Sequence, residues 1–83
     1  MTNLSEAEVI GIIETVLGAK TGEVTMASRI GFVEGWDSMG HLGILALLDA
    51  KLDGKAADIE ELAMADSVQS IVDMLKSRGL MKV

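Results

Sequence analysis

The chain has 83 residues, a formal charge of −6 at pH 7, one histidine and no cysteine. That length predicts one domain, residues 1–83, too small for a deep substrate cleft, and the charge argues against nucleic acid and anionic membrane surfaces, both of which need basic patches. Without cysteine, disulfides, thiolate metal sites and any thiol carried by the chain itself are excluded, and a lone histidine makes an ordinary zinc site a poor expectation.

Met1 to Leu4 lead straight into an acidic stretch, with no basic region followed by a long apolar one, so no signal peptide is expected. "LSEAEVIGIIETVLG" then predicts a first helix from Ser5 to Leu17. Ser5 and Glu8 have the spacing of a capping box. Val9, Ile12, Ile13 and Val16 recur at helical intervals, and Gly18 is the stop. Residues 19–36 show no sustained periodicity. Their content of Val24, Ile30, Phe32 and Val33 predicts an ordered loop that lays some of these side chains over the core.

"DSMGHLGILALLDAKLDG" predicts the second helix, capped by Asp37 and ended by Gly54. Leu42, Leu45, Leu48 and Leu52 form its expected apolar face, widened by Ile44 and Leu47. Its longest apolar run, Ile44 to Leu48, is far too short to span a bilayer, so a cytoplasmic protein without membrane insertion is expected. "ADIEELAMA" predicts a short acidic third helix on Ile59, Leu62 and Ala63. "DSVQSIVDMLKSRG" predicts the last, with Asp66 or Ser67 as cap and Val68, Ile71, Val72 and Leu75 facing the core. Lys76 and Arg78 sit at the negative end of its dipole, and Gly79 follows. Proline and tyrosine are absent, only Phe32 and Trp36 are aromatic, and no long stretch alternates apolar with polar residues. The expected class is all-α: a small antiparallel bundle of three main helices plus the short one.

The stretch "GWDSMGH", residues 35–41, crowds Asp37, Ser38 and His41 together. A Ser-His-Asp triad is disfavoured. The acid and base are helical neighbours of the serine rather than a line assembled across the fold, and the nucleophile-elbow pattern fails because Trp36 stands where glycine is needed. Two readings remain. One is an ordinary helix start. The other is attachment: a serine in the positive first turn of a helix favours a phosphate ester, and Gly40 and Gly43 remove bulk that would crowd it.

"GWDSMGHLGILALLDAKL" resembles the phosphopantetheine attachment segment of acyl carrier proteins, commonly Gly-x-Asp-Ser-Leu or Gly-x-Asp-Ser-Met. The likeness extends over the chain: first helix, long loop, a helix opening at the serine, a short acidic helix, and a last helix opening "DSV". The resemblance implies that Ser38 accepts a 4′-phosphopantetheine arm from coenzyme A through a separate magnesium-dependent phosphopantetheinyl transferase. The arm brings the thiol this chain lacks. Acyl groups then travel on it as thioesters between ligases, synthases and acyltransferases of fatty acid, polyketide or related biosynthesis. On this reading the protein is a monomeric carrier and not an enzyme. Asp37 is the motif acid, with Gly35 and Met39 at the flanking motif positions.

Peptidyl or aminoacyl carriers share this pattern, and a degenerate carrier acting only as an interaction module is a further alternative. Carriers of fatty acid synthesis hold several acids along the second helix. Here Gly40, His41 and Gly43 stand in their place, and the acids lie at Asp58, Glu60 and Glu61. That variant resembles specialised free-standing carriers serving a dedicated ligase or transferase. Met39, Gly40, His41, Glu60, Glu61 and Met64 are the expected contacts for the arm or a partner, with His41 otherwise an exposed helix residue and Met64 otherwise core filling.

Overall fold

A computed structural model describes residues 3–82. Three α-helices form, α1 (Glu6–Leu17), α2 (Ser38–Lys51) and α3 (Val68–Ser77), with two 3₁₀ turns, Ala56–Asp58 and Glu60–Met64, between α2 and α3. No β-strand forms among the described residues; isolated bridges join Leu4 to Met81 and Arg29 to Ser67.

Each helix starts where its capping chemistry dictates. At α1 the Ser5 hydroxyl accepts the Glu8 N–H at 3.1 Å and the Glu8 carboxylate accepts the Ser5 N–H at 2.9 Å, which satisfies two donors the helix leaves unpaired. At α3 the cap is Ser67, with Ser70 reciprocating in place of the usual Glu or Gln. α1 stops at Gly18, whose φ of 68° is a left-handed cap that a side chain would strain. α2 ends at Lys51, ahead of the expected Gly54: Leu52 is the cap, and Asp53 and Gly54 take left-handed φ of 54° and 83°.

The predicted third helix is not an α-helix. Ala56, Ile59, Leu62 and Ala65 are buried at intervals of three, and Ile59, Leu62 and Ala65 each donate their N–H to the carbonyl three residues back. A 3₁₀ turn has three residues per turn, so this spacing puts all four side chains on one line. Ala63, at helical spacing with Ile59 and Leu62 in the sequence, is exposed.

The core is aliphatic, built around Val9 and Ile13 of α1, Ile44 and Leu48 of α2, and Val68, Ile71, Val72 and Leu75 of α3, all without solvent exposure. Trp36 joins it from the loop at 1% exposure. The loop of residues 19–36 is ordered by bonds to both sides. Glu14, buried on α1, accepts the N–H of Gly22 at 2.8 Å and of Val24 at 3.2 Å. Further along, Ile30 donates to Asp66 O at 2.8 Å, and Val68 donates to Ser28 O at 3.0 Å. Val24 is buried and Ile30 and Val33 half-buried as expected, but Phe32 is 84% exposed and covers nothing. The chain ends are tied by Leu4 N–H to Leu80 O and Lys82 N–H to Leu4 O.

Candidate functional site

The site forms where the loop meets α2. Gly35 turns the chain at φ 84°, and Trp36 follows into the core. Asp37 is extended, and its carboxylate accepts the Gly40 N–H at 2.9 Å. Asp37 is thus the cap the sequence predicts. Ser38 is the first residue of α2 and exposed. Among the described residues its hydroxyl makes no hydrogen bond. It stands at the positive end of a helix of 14 residues.

Beside Ser38 runs an open groove of about 430 Å³ between α2 and the second 3₁₀ turn. Ile30, Leu42, Leu45, Ala63 and Met64 line it, and His41 lies on its floor. Leu42 is 62% and Met64 83% exposed; Met39, next to Ser38, is 77% exposed. Met64 therefore does not fill the core. Leu42 does not either, contrary to the expected face of α2: the buried line is His41, Ile44, Leu48 and Leu52. Between Asp37 and Asp49, α2 carries no Asp, Glu, Lys or Arg in its sequence.

His41 is not the exposed residue the sequence suggests. It is buried at 5% exposure. Trp36 Nε1–H donates to its Nδ1 at 3.1 Å, and its Nε2 lies 2.9 Å from Leu62 O. The two rings are within 18° of parallel with centroids 6.2 Å apart, side by side as the hydrogen bond requires.

Gly40 and Gly43 face α1 rather than open solvent. A methyl at Gly40 would fall on the Gly35 carbonyl oxygen, and one at Gly43 would lie 2.9 Å from Val16 Cγ1. They let α2 and the loop corner approach α1; neither is a clearing beside Ser38. Glu60 and Glu61 are exposed on the 3₁₀ wall but do not line the groove with Ser38. Glu61 is paired with Arg78 at 3.2 Å, and its own backbone N–H together with that guanidinium holds its carboxyl below the ordinary glutamate value. Leu42 and Ile30 are site residues that sequence reasoning missed, because exposure of a leucine and the path of an aperiodic loop are set by tertiary packing.

Among the described residues no three His, Cys, Asp or Glu side chains converge to hold a metal ion, and no helix is long and apolar enough to cross a membrane. No family model, curated protein or solved structure matches this chain.

Proposed function

We propose that the protein is a carrier that holds acyl groups on a 4′-phosphopantetheine arm attached to Ser38 and presents them to partner enzymes. The observation that carries this reading is the exposed, unengaged Ser38 hydroxyl, in its Asp-Ser-Met setting, at the head of a 14-residue helix and at the mouth of an apolar groove.

The residues present fit such a group. The first turn of α2 offers a favourable field and backbone donors for a phosphodiester on the Ser38 oxygen. Asp37 holds that turn through Gly40 and leaves Ser38 projecting. Ile30, Leu42, Leu45 and Met64 give the apolar part of an attached chain a surface on which to lie. Bound there, the arm supplies the thiol for thioester formation. The protein's own residues catalyse nothing on this reading; they hold the serine out, keep an uncharged α2 surface around it, and offer Met39, Leu42 and Met64 to an apolar partner or cargo. The architecture that belongs with this function is a small antiparallel bundle of three main helices, the 3₁₀ segment standing where a short third helix is expected. A ligase or acyltransferase, and the transferase that installs the arm, are the partners implied.

Intact mass after incubation with coenzyme A, magnesium and phosphopantetheinyl transferases of broad specificity tests this. The expected result is a gain of one phosphopantetheine, abolished in Ser38→Ala while helical content and melting temperature are kept. No gain with several transferases acting on folded protein refutes the carrier reading. A gain that survives Ser38→Ala refutes the site.

A further inference from the structure

The buried polar assembly on the floor of the groove, Trp36, His41 and Leu62, plays no part in the attachment of an arm. The indole N–H can only donate, so His41 Nδ1 accepts; the Leu62 carbonyl can only accept, so Nε2 donates. The two contacts admit one species, the neutral imidazole with its proton on Nε2. The partners come from different elements. Trp36 ends the loop, His41 lies one turn along α2 from Ser38, and Leu62 belongs to the 3₁₀ turn whose Ala63 and Met64 form the outer wall of the groove. Among the described residues no buried side-chain polar atom is left without a hydrogen-bond partner, so the assembly is closed.

We propose that His41 is a positioning residue that sets the depth of the groove beside Ser38. It holds the 3₁₀ wall and the loop corner against the first turn of α2, so a group carried on Ser38 rests on Ile30, Leu42, Leu45 and Met64 and does not pass between α2 and the 3₁₀ turn. An alkyl chain entering there has to break both bonds and leave the indole N–H, the imidazole and the Leu62 carbonyl buried without partners. Ile44 and Leu48, without solvent exposure, and Leu62, at 1%, already surround that space. Resting on the carrier reading, this names the cargo class: short or compact acyl groups are held along the groove, and a long aliphatic chain, which beyond it reaches only the open groove lined by Leu45, Ala56, Ile59 and Leu62, is not enclosed in the core.

Two variants of the unmodified protein test the role of His41. His41→Gln keeps one donor and one acceptor at the end of a side chain of similar reach, whereas His41→Leu keeps the volume and loses both. The readouts are the ¹⁵N shifts of the imidazole, the exchange rate of the Trp36 indole proton, and acrylamide quenching of Trp36, the chain's single tryptophan. The expected result is the Nε2–H tautomer and a slowly exchanging indole proton in the parent. Quenching is expected to rise severalfold in His41→Leu and to stay near the parent in His41→Gln. A role in packing alone predicts the reverse order, and that order, or an Nδ1–H tautomer, overturns the proposal.

The cargo class is tested by loading acetyl and dodecanoyl groups on the arm. Melting temperature and Trp36 quenching should match between the two in the parent and diverge in His41→Leu. Added stability from dodecanoyl in the parent, with altered Trp36 quenching, overturns the depth assignment. Failure to load Ser38 at all refutes the carrier reading and the cargo class with it, while the order of the two unmodified variants still decides the role of His41.

Discussion

Alanine at three glycines separates what each contributes. At Gly11, inside α1, a new methyl meets nothing within 4 Å, so only helix propensity acts and Gly11→Ala stabilises by about 0.5–1 kcal/mol. At Gly40 the same propensity gain of about 1 kcal/mol is opposed by a collision. The methyl would fall on the Gly35 carbonyl oxygen and lie 3.1 Å from Leu17 Cδ2. That carbonyl cannot withdraw cheaply, because it accepts the Asp37 N–H at 3.1 Å and belongs to a residue at φ 84°. Overpacking against fixed atoms costs about 3 kcal/mol, which leaves Gly40→Ala destabilised by about 2 kcal/mol. At Gly43 the obstacle is a single side-chain tip, Val16 Cγ1 at 2.9 Å, which can rotate away, so gain and cost nearly cancel. Gly11→Ala and Gly40→Ala should therefore differ by about 3 kcal/mol, on the order of 15 °C in melting temperature for a domain of this size. Thermal and urea unfolding followed by far-ultraviolet circular dichroism give the order Gly11→Ala, parent or Gly43→Ala, then Gly40→Ala. If Gly40→Ala melts at or above Gly11→Ala, the close approach of the α2 first turn to the Gly35 corner is wrong.

Acid should weaken the α1 start. The Glu8 carboxyl is held at about 2, below its ordinary 4.5, by the Ser5 backbone N–H first, then by Lys82 and the Ser5 hydroxyl. A depressed carboxyl contributes stability above its unfolded value and loses it as pH falls. The stability difference between the parent and Glu8→Gln should hold from pH 7 to about 4.5 and shrink toward pH 2; a difference that grows in acid contradicts the capping box. Ile71→Ala should cost about 2–5 kcal/mol by opening a cavity at a side chain without solvent exposure, a large share of what so small a domain possesses, and urea midpoints measure it. Trp36→Phe should cost at least about 1–3 kcal/mol by leaving His41 Nδ1 without its donor, whereas Leu42→Ala, at a side chain 62% exposed, should stay within about 0.5 kcal/mol; equal losses would contradict the assigned burial.

What could be read from the sequence is what short-range chemistry decides. The caps at Ser5, Asp37 and Ser67 are hydrogen bonds spanning three residues, and the apolar face of α3 repeats without interruption. The exposed end of α2 at Ser38 follows from the same rules. The face of α2 does not. Counting His41 as polar selects Leu42, Leu45, Leu48 and Leu52, but with the imidazole neutral and fully bonded the buried line begins one residue earlier, at His41 and Ile44. The 3₁₀ segment is ambiguous in the sequence for a related reason. Ile59 and Leu62 fit a helix as well as a 3₁₀ turn, and only the burial of Ala56 and Ala65 distinguishes them. Gly40 and Gly43 are informative only once α1 lies against them.

The same seven residues, 35–41, also explain why the serine stays outside. Asp37 is extended, at φ −123° and ψ −166°, and hands the chain from the loop to the first turn of α2, with Trp36 on the loop side at 1% exposure and Ser38 on the helix side exposed. Trp36 goes in and Ser38 goes out. One helical turn later His41 returns to the interior and bonds to Trp36, closing a short bracket beneath Ser38. Sliding this segment by one residue would put Gly35 or Asp37 in the place of the buried indole and leave the Leu62 carbonyl without its donor. The exposure of Ser38 is therefore enforced by what is buried around it, and a change to Trp36 or His41 should disturb the serine's surroundings before it disturbs α2 itself.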